Sequence, residues 1–261
     1  MDNVWNYLEQ RIREYGCGFL AIVDPDKYVL SDLSRLCRAL RAANVDGVLV
    51  GGTILKKGHE HYGKIVLALR QGLPDAPVII FPGGSGMYRS LVPGADAIFF
   101  RQLISGTNRK YLYTEQCLAG IRAKRMGIEA IAVGYVFVRS RAIQRAADIT
   151  NTTPVREADT ERAVGLAILS ESTGKRLIWF ERGSNAEAPV PEPFIKTVSA
   201  HPLVELPIMV SGGLRTAENV RAVVRAGARL TGVGTVIEQS KDIEATLSPL
   251  VSAAHWRASS A

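Results

Sequence analysis

Short apolar runs recur along the chain, and each is followed by Gly, Pro or Asp and then by a stretch with helical spacing. Runs of this length that lack polar alternation are typical of strands in a parallel sheet that is buried on both faces. We predict eight such strands, at residues 19–23, 47–50, 78–81, 97–100, 130–136, 177–180, 207–210 and 230–233.

The segments between these strands carry apolar residues at helical spacing, as in Leu33, Leu36 and Leu40. Eight strands with helical crossovers predict an α/β fold of the (β/α)8 TIM-type barrel, and a doubly wound open sheet is the alternative. The connection after the third strand is short and rich in glycine, which predicts an irregular barrel there. A length of 261 residues suits one barrel, so we predict that residues 1–261 form a single phosphate-binding barrel domain.

The charge of the chain favours anionic partners, because 32 Lys and Arg residues stand against 25 Asp and Glu residues. The basic residues are scattered and are not interleaved with aromatic residues, which argues against nucleic acid. Phosphate or diphosphate substrates fit this balance better, and an anionic membrane surface stays an alternative partner. A cluster of three arginines, Arg139, Arg141 and Arg145, faces diphosphate, lipid headgroups or only water, and water is the default.

The three cysteines, Cys17, Cys37 and Cys117, are far apart and odd in number, so they form neither a disulfide framework nor a metal motif. We interpret them as reduced thiols. The first 13 residues are polar and lack the apolar core of a signal peptide, and no apolar run is long enough to span a bilayer. These features predict a cytoplasmic protein.

The ends of the seventh and eighth predicted strands are rich in glycine. They read Ser-Gly-Gly-Leu-Arg-Thr at 211–216 and Gly-Val-Gly-Thr at 232–235. Chemistry in this fold lies at the carboxyl ends of the strands, and glycine lets backbone N–H groups approach an anion there. One Gly-Gly pair alone is more often a tight turn, but two such loops one βα unit apart predict phosphate binding.

The sixth predicted strand ends in Trp179, Phe180, Glu181 and Arg182. Glu181 follows a wholly apolar strand, so we expect its carboxylate in the cleft, where it can orient a hydroxyl and take its proton. An ion pair with Arg182 on the rim is the alternative. The residues that follow, Gly183 and Ser184, predict a third phosphate-binding loop.

The first strand ends in Asp24, Pro25, Asp26 and Lys27. Carboxylates at a strand end suit a hard cation that bridges a diphosphate, and Mg²⁺ commonly takes one or two carboxylates plus phosphate oxygens. An Asp-Pro turn beside a solvated lysine explains the same residues without a ligand.

The order of these motifs resembles that of the geranylgeranylglyceryl and heptaprenylglyceryl phosphate synthases. The resemblance extends from about residue 19 to residue 240. It rests on DPDK at 24–27, GGT at 51–53, FPGG at 81–84, ADAIFF at 95–100, GYVFV at 134–138, ERGS at 181–184, SGGLRT at 211–216 and GVGTVIE at 232–238. It implies a modified barrel that transfers a polyprenyl group from its diphosphate to glycerol phosphate with Mg²⁺. It also implies a homodimer or larger assembly.

The resemblance assigns roles to individual residues. Asp24 would hold Mg²⁺ with the diphosphate, assisted by Thr53, and Lys27 would help to neutralise the leaving group. Glu181 would bind the acceptor hydroxyl and accept its proton, and Tyr135 and Trp179 would line the acceptor side. The acceptor phosphate would be bound by Gly183, Ser184, Gly212, Gly213, Gly234 and Thr235.

The chain departs from the family pattern at Arg182, where a small or aromatic residue is usual. A guanidinium suits bidentate contact with a carboxylate. This favours 3-phosphoglycerate as acceptor and farnesyl diphosphate as donor, as in the divergent phosphoglycerate prenyltransferase branch of moenomycin-type antibiotic biosynthesis. The alternatives are sn-glycerol 1-phosphate as acceptor and a pairing of Arg182 with Glu181 or Glu187. A phosphate-barrel isomerase or lyase and a non-catalytic binding protein are further alternatives.

Overall fold

The computed structural model describes residues 3–52, 55–83 and 86–256. Eight parallel strands close into a barrel in chain order, which confirms the predicted barrel and excludes the open sheet, since β1 pairs with β8. The strands are β1 (Gly18–Val23), β2 (Gly47–Val50), β3 (Val78–Ile80), β4 (Ala97–Leu103), β5 (Glu129–Phe137), β6 (Leu177–Glu181), β7 (Ile208–Ser211) and β8 (Ala228–Val233).

The helix α1 (Val4–Tyr15) precedes β1 and packs Val4, Trp5 and Leu8 against the cluster that fills the barrel, whereas the later helices follow the strands. They are α2 (Leu30–Ala42), α3 (Gly58–Gly72), α4 (Met87–Ser90), α5 (Glu115–Arg125), α6 (Gln144–Thr150), α7 (Thr160–Ser172), α8 (Glu192–Ser199), α9 (Ala217–Arg225), α10 (Thr235–Glu238) and α11 (Ile243–Ala254). The single turn of α4 joins β3 to β4, so the connection after the third strand is irregular, as predicted. None of the helices in the described ranges is long and apolar enough to cross a bilayer.

Side-chain alternation along the strands divides the core into two layers. Leu20, Leu49 and Trp179 belong to the cluster that fills the barrel. Their neighbours in the chain, such as Phe19 and Phe180, belong to the cluster between the sheet and the helices. Because successive side chains point to opposite faces, this parity decides which polar residues at the strand ends enter the barrel.

The amino-terminal end of the barrel is held by buried carboxylates. Asp46 is fully buried and accepts hydrogen bonds from the Phe19 amide at 2.7 Å and from Arg11 Nε at 2.5 Å. His255 Nε2 lies 2.7 Å from its second oxygen. The Glu129 carboxylate accepts the Val4 amide of α1 at 2.5 Å. These contacts tie α1 and the end of α11 to the sheet, far from the carboxyl ends of the strands.

Candidate active site

The loops after β6, β7 and β8 meet at the mouth of the barrel. The Arg182 amide donates to the Ser211 carbonyl at 3.1 Å, and the Asn185 amide donates to Thr235 Oγ1 at 3.4 Å. A Cβ added to Gly212 would lie 2.9 Å from the backbone nitrogen of Gly183, so these two loops are in direct contact. The structure therefore brings the three predicted phosphate-binding segments together.

Glycine is required at the turns of these loops. Gly183, Gly212 and Gly213 have φ angles of +91°, +84° and +75°, in the left-handed region that other residues rarely adopt. A Cβ on Gly213 would also lie 2.2 Å from the carbonyl carbon of Ala188. Glycine at these positions therefore lets the loops after β6 and β7 pack closely against each other. Of the other predicted phosphate ligands, Ser184 is exposed, and Gly234 and Thr235 are half-buried.

Glu181 ends β6 with its carboxylate inside the barrel mouth, buried to 8% exposure. One oxygen accepts the Gly183 amide at 2.5 Å, and the other accepts the Ser211 hydroxyl, which in turn accepts Trp179 Nε1 at 2.5 Å. Burial raises the pKa of Glu181, and these hydrogen bonds to the carboxylate oppose that shift. A carboxylate that is oriented on two sides and has a raised pKa is suited to accept a proton.

Aromatic rings form one wall beside this carboxylate. The ring centroids of Tyr135 and Phe81 lie 4.9 and 4.8 Å from that of Trp179. Burial raises the pKa of the Tyr135 phenol well above its ordinary value, and the charge of Glu181 adds to this rise. Tyr135 therefore stays a neutral hydrogen-bonding group near Glu181, whereas Trp179 is fully buried and positions Ser211 from below.

Asp24 lies directly after β1, which pairs with β8, so it borders the loop after β8. Its Oδ1 accepts the Asp26 amide at 3.0 Å, and a Cβ on Gly52 would come within 2.6 Å of the same oxygen. Glycine at position 52 thus leaves room for the carboxylate. Burial raises the pKa of Asp24, and the nearby charge of the exposed Lys27 opposes the rise.

Glu238 is a further carboxylate on this side that the sequence reasoning missed. It ends the single turn of α10, and the pKa of Glu238 is raised by burial and by the charge of Asp24. The hydroxyl of Tyr28 is buried there with no hydrogen-bond partner among the residues described. The sequence could have indicated Glu238, because it lies about one helical turn after Thr235, which we predicted as a phosphate ligand.

Two carboxylates in one region fit the chemistry of Mg²⁺, which needs few protein oxygens when a diphosphate supplies the others. Within the described ranges no group of three or more His, Cys, Asp or Glu residues could hold a metal ion. Asp24 and Glu238, which are close enough for the charge of Asp24 to raise the pKa of Glu238, are the residues that could hold the cation. The predicted ligand Thr53 lies outside the described residues.

The prediction for Arg182 is wrong in its geometry. The side chain is buried at 5% exposure, and its guanidinium lies 2.7 Å from Glu157 and donates to the Pro189 carbonyl at 2.8 Å. Strand parity explains this position, because Glu181 points into the barrel and the next residue points outward. Its close ion-pair partner is Glu157 and neither Glu181 nor Glu187, although the charge of Arg182 helps to lower the pKa of the exposed Glu187.

The other residues predicted from charge lie at the surface. Arg139, Arg141 and Arg145 are all exposed, in agreement with contact to water as the default.

Cys17 and Cys37 are buried free thiols, and Cys117 is an exposed one.

Comparison with known proteins identifies a family, relatives by sequence and a related crystal structure. The model of the PcrB family matches residues 9–253. A geranylgeranylglyceryl phosphate synthase of Methanosphaera stadtmanae is 31% identical over 254 residues, covering 97% of this chain and 100% of the relative. One of Korarchaeum cryptofilum is 35% identical over 241 residues, covering 92% and 96%. The crystal structure of (S)-3-O-geranylgeranylglyceryl phosphate synthase from Thermoplasma acidophilum in complex with its substrate sn-glycerol-1-phosphate superposes with a TM-score of 0.86 at 27% identity, covering 95% of this chain and 98% of that one.

Proposed function

The chain belongs to the PcrB family, and on that premise we propose that it transfers a prenyl group from its diphosphate to the hydroxyl of sn-glycerol 1-phosphate. It is an enzyme, a prenyltransferase. The observation that carries the proposal is the position of Glu181 beside three converging glycine-rich loops; the Gly183 amide already donates to Glu181, so the amides of the loops after β7 and β8 would bind the phosphate. An acceptor with a phosphate and a hydroxyl three carbons apart would bind the loops through its phosphate and place its hydroxyl at Glu181.

The acceptor is bound at its phosphate by the loops after β6, β7 and β8. Backbone N–H groups in left-handed glycine turns form an anion-binding concavity without a compensating side-chain charge. With the phosphate fixed there, the acceptor hydroxyl reaches Glu181. Fixing the reacting groups in this way contributes several kcal/mol, about 7 or more in well-oriented systems, to lowering the barrier.

The reaction exchanges one C–O bond for another. The bond between the prenyl carbon and the diphosphate breaks, and the diphosphate leaves with the electron pair. The acceptor oxygen forms an ether bond to that carbon, and its proton passes to Glu181, whose second oxygen is held by Ser211. As the bond to the diphosphate breaks, positive charge develops on the prenyl carbon. In this proposal the wall formed by Phe81, Tyr135 and Trp179 excludes water from that carbon.

The donor diphosphate lies at the β1 side of the mouth in this proposal. Asp24 and Glu238 would hold Mg²⁺, which when bound supplies charge neutralisation for the leaving diphosphate. Lys27 adds a positive charge at the same side, where it already lowers the pKa of both carboxyls against the effect of burial.

Glycerol phosphate replaces 3-phosphoglycerate as the favoured acceptor for two reasons. Relatives at 31% and 35% identity are named for the glyceryl phosphate product. Arg182, which suggested an acceptor carboxylate, is engaged by Glu157 on the outer side of the barrel. The preference for farnesyl diphosphate has no residue left to support it. The homodimer and the contact with a membrane surface stay predictions.

The test is a direct assay of the full chain with Mg²⁺. Farnesyl, geranylgeranyl and heptaprenyl diphosphate are each combined with sn-glycerol 1-phosphate or 3-phosphoglycerate, and the ether product is identified by mass. Product with glycerol phosphate, absent in a Glu181→Gln control, supports the proposal. Product with 3-phosphoglycerate alone would reverse the choice of acceptor, and no product with any pair would refute prenyl transfer.

A further inference from the structure

We propose that Arg101 on β4 is an anion-binding residue inside the barrel mouth, where its guanidinium binds an oxyanion of a substrate. The proposed function does not use this residue. The chemical class of the ligand is a carboxylate or phosphate oxygen.

The position of Arg101 follows from the parity of its strand. Ala97, Phe99 and Leu103 all belong to the cluster that fills the barrel, so the side chain of Arg101 also points inward. Its guanidinium carbon lies 5.1 Å from the ring centroid of Tyr135 and 5.5 Å from that of Phe81. The cation therefore adjoins the same aromatic wall that flanks Glu181.

Arg101 makes no direct ion pair within the parts of the chain that the structure describes. Its Nε and Nη2 both donate to a single acceptor, the Pro82 carbonyl, at 3.0 and 2.5 Å. Glu115, the carboxylate whose charge acts on it, instead accepts the Met87 amide at 2.6 Å. A guanidinium has five N–H donors, so most of its hydrogen-bonding capacity is unused by these contacts.

Three other arginines that pack into the structure each have a carboxylate partner. Arg11 pairs with Asp46 at 2.5 Å, Arg70 with Asp96 at 3.1 Å and Arg182 with Glu157 at 2.7 Å. Removing a cation from water without a partner is costly, and the same desolvation lowers the pKa of Arg101. Arg122 and Arg162, which are half-buried, donate to carbonyls without an ion pair among the described residues, but Arg101 alone of these adjoins the aromatic wall beside Glu181, where a ligand can supply the missing anion.

The order of the strands limits which anion this is. Arg101 on β4, Tyr135 on β5 and Glu181 on β6 are followed by the glycine loops after β7 and β8. An acceptor whose phosphate lies in those loops would extend past Glu181 and Tyr135 toward Arg101, which could bind a carboxylate at its far end. The guanidinium also donates to the carbonyl of Pro82, which follows β3. From this position it could instead bind the donor diphosphate.

The experiment measures binding to the full chain by isothermal titration calorimetry. The ligands are inorganic pyrophosphate with Mg²⁺, 3-phosphoglycerate and sn-glycerol 1-phosphate, and the variant is Arg101→Gln. The matched control is Arg122→Gln, because Arg122 also donates to a carbonyl, that of Leu91 at 3.0 Å, and also lies over an aromatic ring, that of Tyr88 at 4.7 Å, but on α5.

We expect Arg101→Gln to weaken one ligand by about tenfold or more, as for the loss of a charge-assisted hydrogen bond, and Arg122→Gln to leave all three unchanged. A loss confined to pyrophosphate assigns Arg101 to the donor, and a loss confined to 3-phosphoglycerate assigns it to an acceptor carboxylate. Equal losses for all three ligands, or no loss for any, would overturn the proposal.

Thermal unfolding guards against a folding defect. Because the substitution removes an unpaired desolvated charge, the Tm of Arg101→Gln should equal or exceed that of the wild type, and Arg101→Lys should retain most of the binding. A lower Tm together with lost binding in both variants would make Arg101 structural. The identity of the two substrates rests on the proposed function, but the binding measurement needs no turnover. If no ether product forms while Arg101→Gln still loses one anion, the proposed function fails and this inference stands.

Discussion

The guanidinium of Arg182 and the carboxylate of Glu157 lie 2.7 Å apart and join the end of β6 to the segment between α6 and α7. Only 5% of Arg182 is exposed, and its second contact is the Pro189 carbonyl in the loop that leads to α8. The residue that departs most visibly from the family pattern is thus part of the scaffold that supports the phosphate loops.

Replacing Arg182 with Ala should therefore reduce stability rather than change acceptor choice. The variant leaves the Pro189 carbonyl and Glu157 without their partner, at a cost of about 1–3 kcal/mol in the free energy of unfolding. Urea denaturation measures this cost, with Glu157→Gln as a milder control. KM values for glycerol 1-phosphate and 3-phosphoglycerate should change by the same factor, and a rise for 3-phosphoglycerate alone would restore the role in carboxylate binding.

Asp24→Asn should abolish turnover while the protein stays folded. The carboxylate is half-buried, and among the described residues its hydrogen bond is to the Asp26 amide of its own turn, at 3.0 Å. We expect kcat to fall by about two orders of magnitude or more, since charge neutralisation of the leaving group is lost, with an unchanged Tm. Normal turnover by the variant would remove Asp24 from the metal site.

Asp26→Asn is the matched comparison, two residues away. Its carboxylate accepts the amides of Lys56 and Lys57 at 2.7 and 2.9 Å and so anchors the segment before α3. This variant should lower Tm and leave the Mg²⁺ dependence of the residual activity as it is in the wild type. The two aspartates of the motif are thereby separated into one that acts on the ligand and one that acts on the fold.

Glu181→Gln should separate activity from stability in a pH-dependent way. Burial raises the pKa of Glu181 in the folded protein above its unfolded value. Ionisation of this group therefore costs stability above the unfolded pKa, and the cost disappears as pH falls through the folded pKa. The wild-type rate should fall over the same acidic range, because the proton acceptor becomes protonated.

Two measurements check this prediction. At about pH 8 the Gln variant should be inactive and at least as stable as the wild type, and the difference in Tm should shrink toward about pH 4, where both side chains are neutral. A Gln variant that is clearly less stable at about pH 8 would mean that the hydrogen bonds from Gly183 and Ser211 outweigh burial.

The strand pattern predicted the barrel because eight buried runs and their spacing are local properties of the sequence. The ends of the strands were less accessible. We ended the fourth strand at residue 100, whereas β4 continues to Leu103, and this extension is what turns Arg101 inward. If we had applied the alternation of side chains one residue beyond Glu181, we would have predicted that the Arg182 side chain points outward. Glu238 reaches the site through the turn of α10, and no periodic pattern announces a helix that short.

The buried carboxylate at the other end of the barrel gives a prediction about stability alone. Asp46 is fully buried and is contacted by Arg11, His255 and the Phe19 amide at distances of 2.5–2.7 Å. In Asp46→Asn an amide N–H₂ group replaces one accepting oxygen and faces a donor, while Arg11 loses its buried counter-ion and keeps only the exposed Glu14 carboxylate at 3.2 Å. Breaking a buried pair in this way costs about 3–5 kcal/mol, so urea denaturation should show a large loss of stability.

The kcat of the folded fraction should stay at the wild-type value, because Asp46 contacts the start of β1 and Asp24 follows its end. Glu129→Gln is the matched control at the same end of the barrel. Its carboxylate accepts the Val4 and Trp5 amides at 2.5 and 3.2 Å, and no ion pair of Glu129 is seen among the described residues, so its loss should be near 1 kcal/mol, about the value of one hydrogen bond. A fall in kcat for Asp46→Asn at a temperature where the variant is fully folded would show that the two ends of the barrel are coupled.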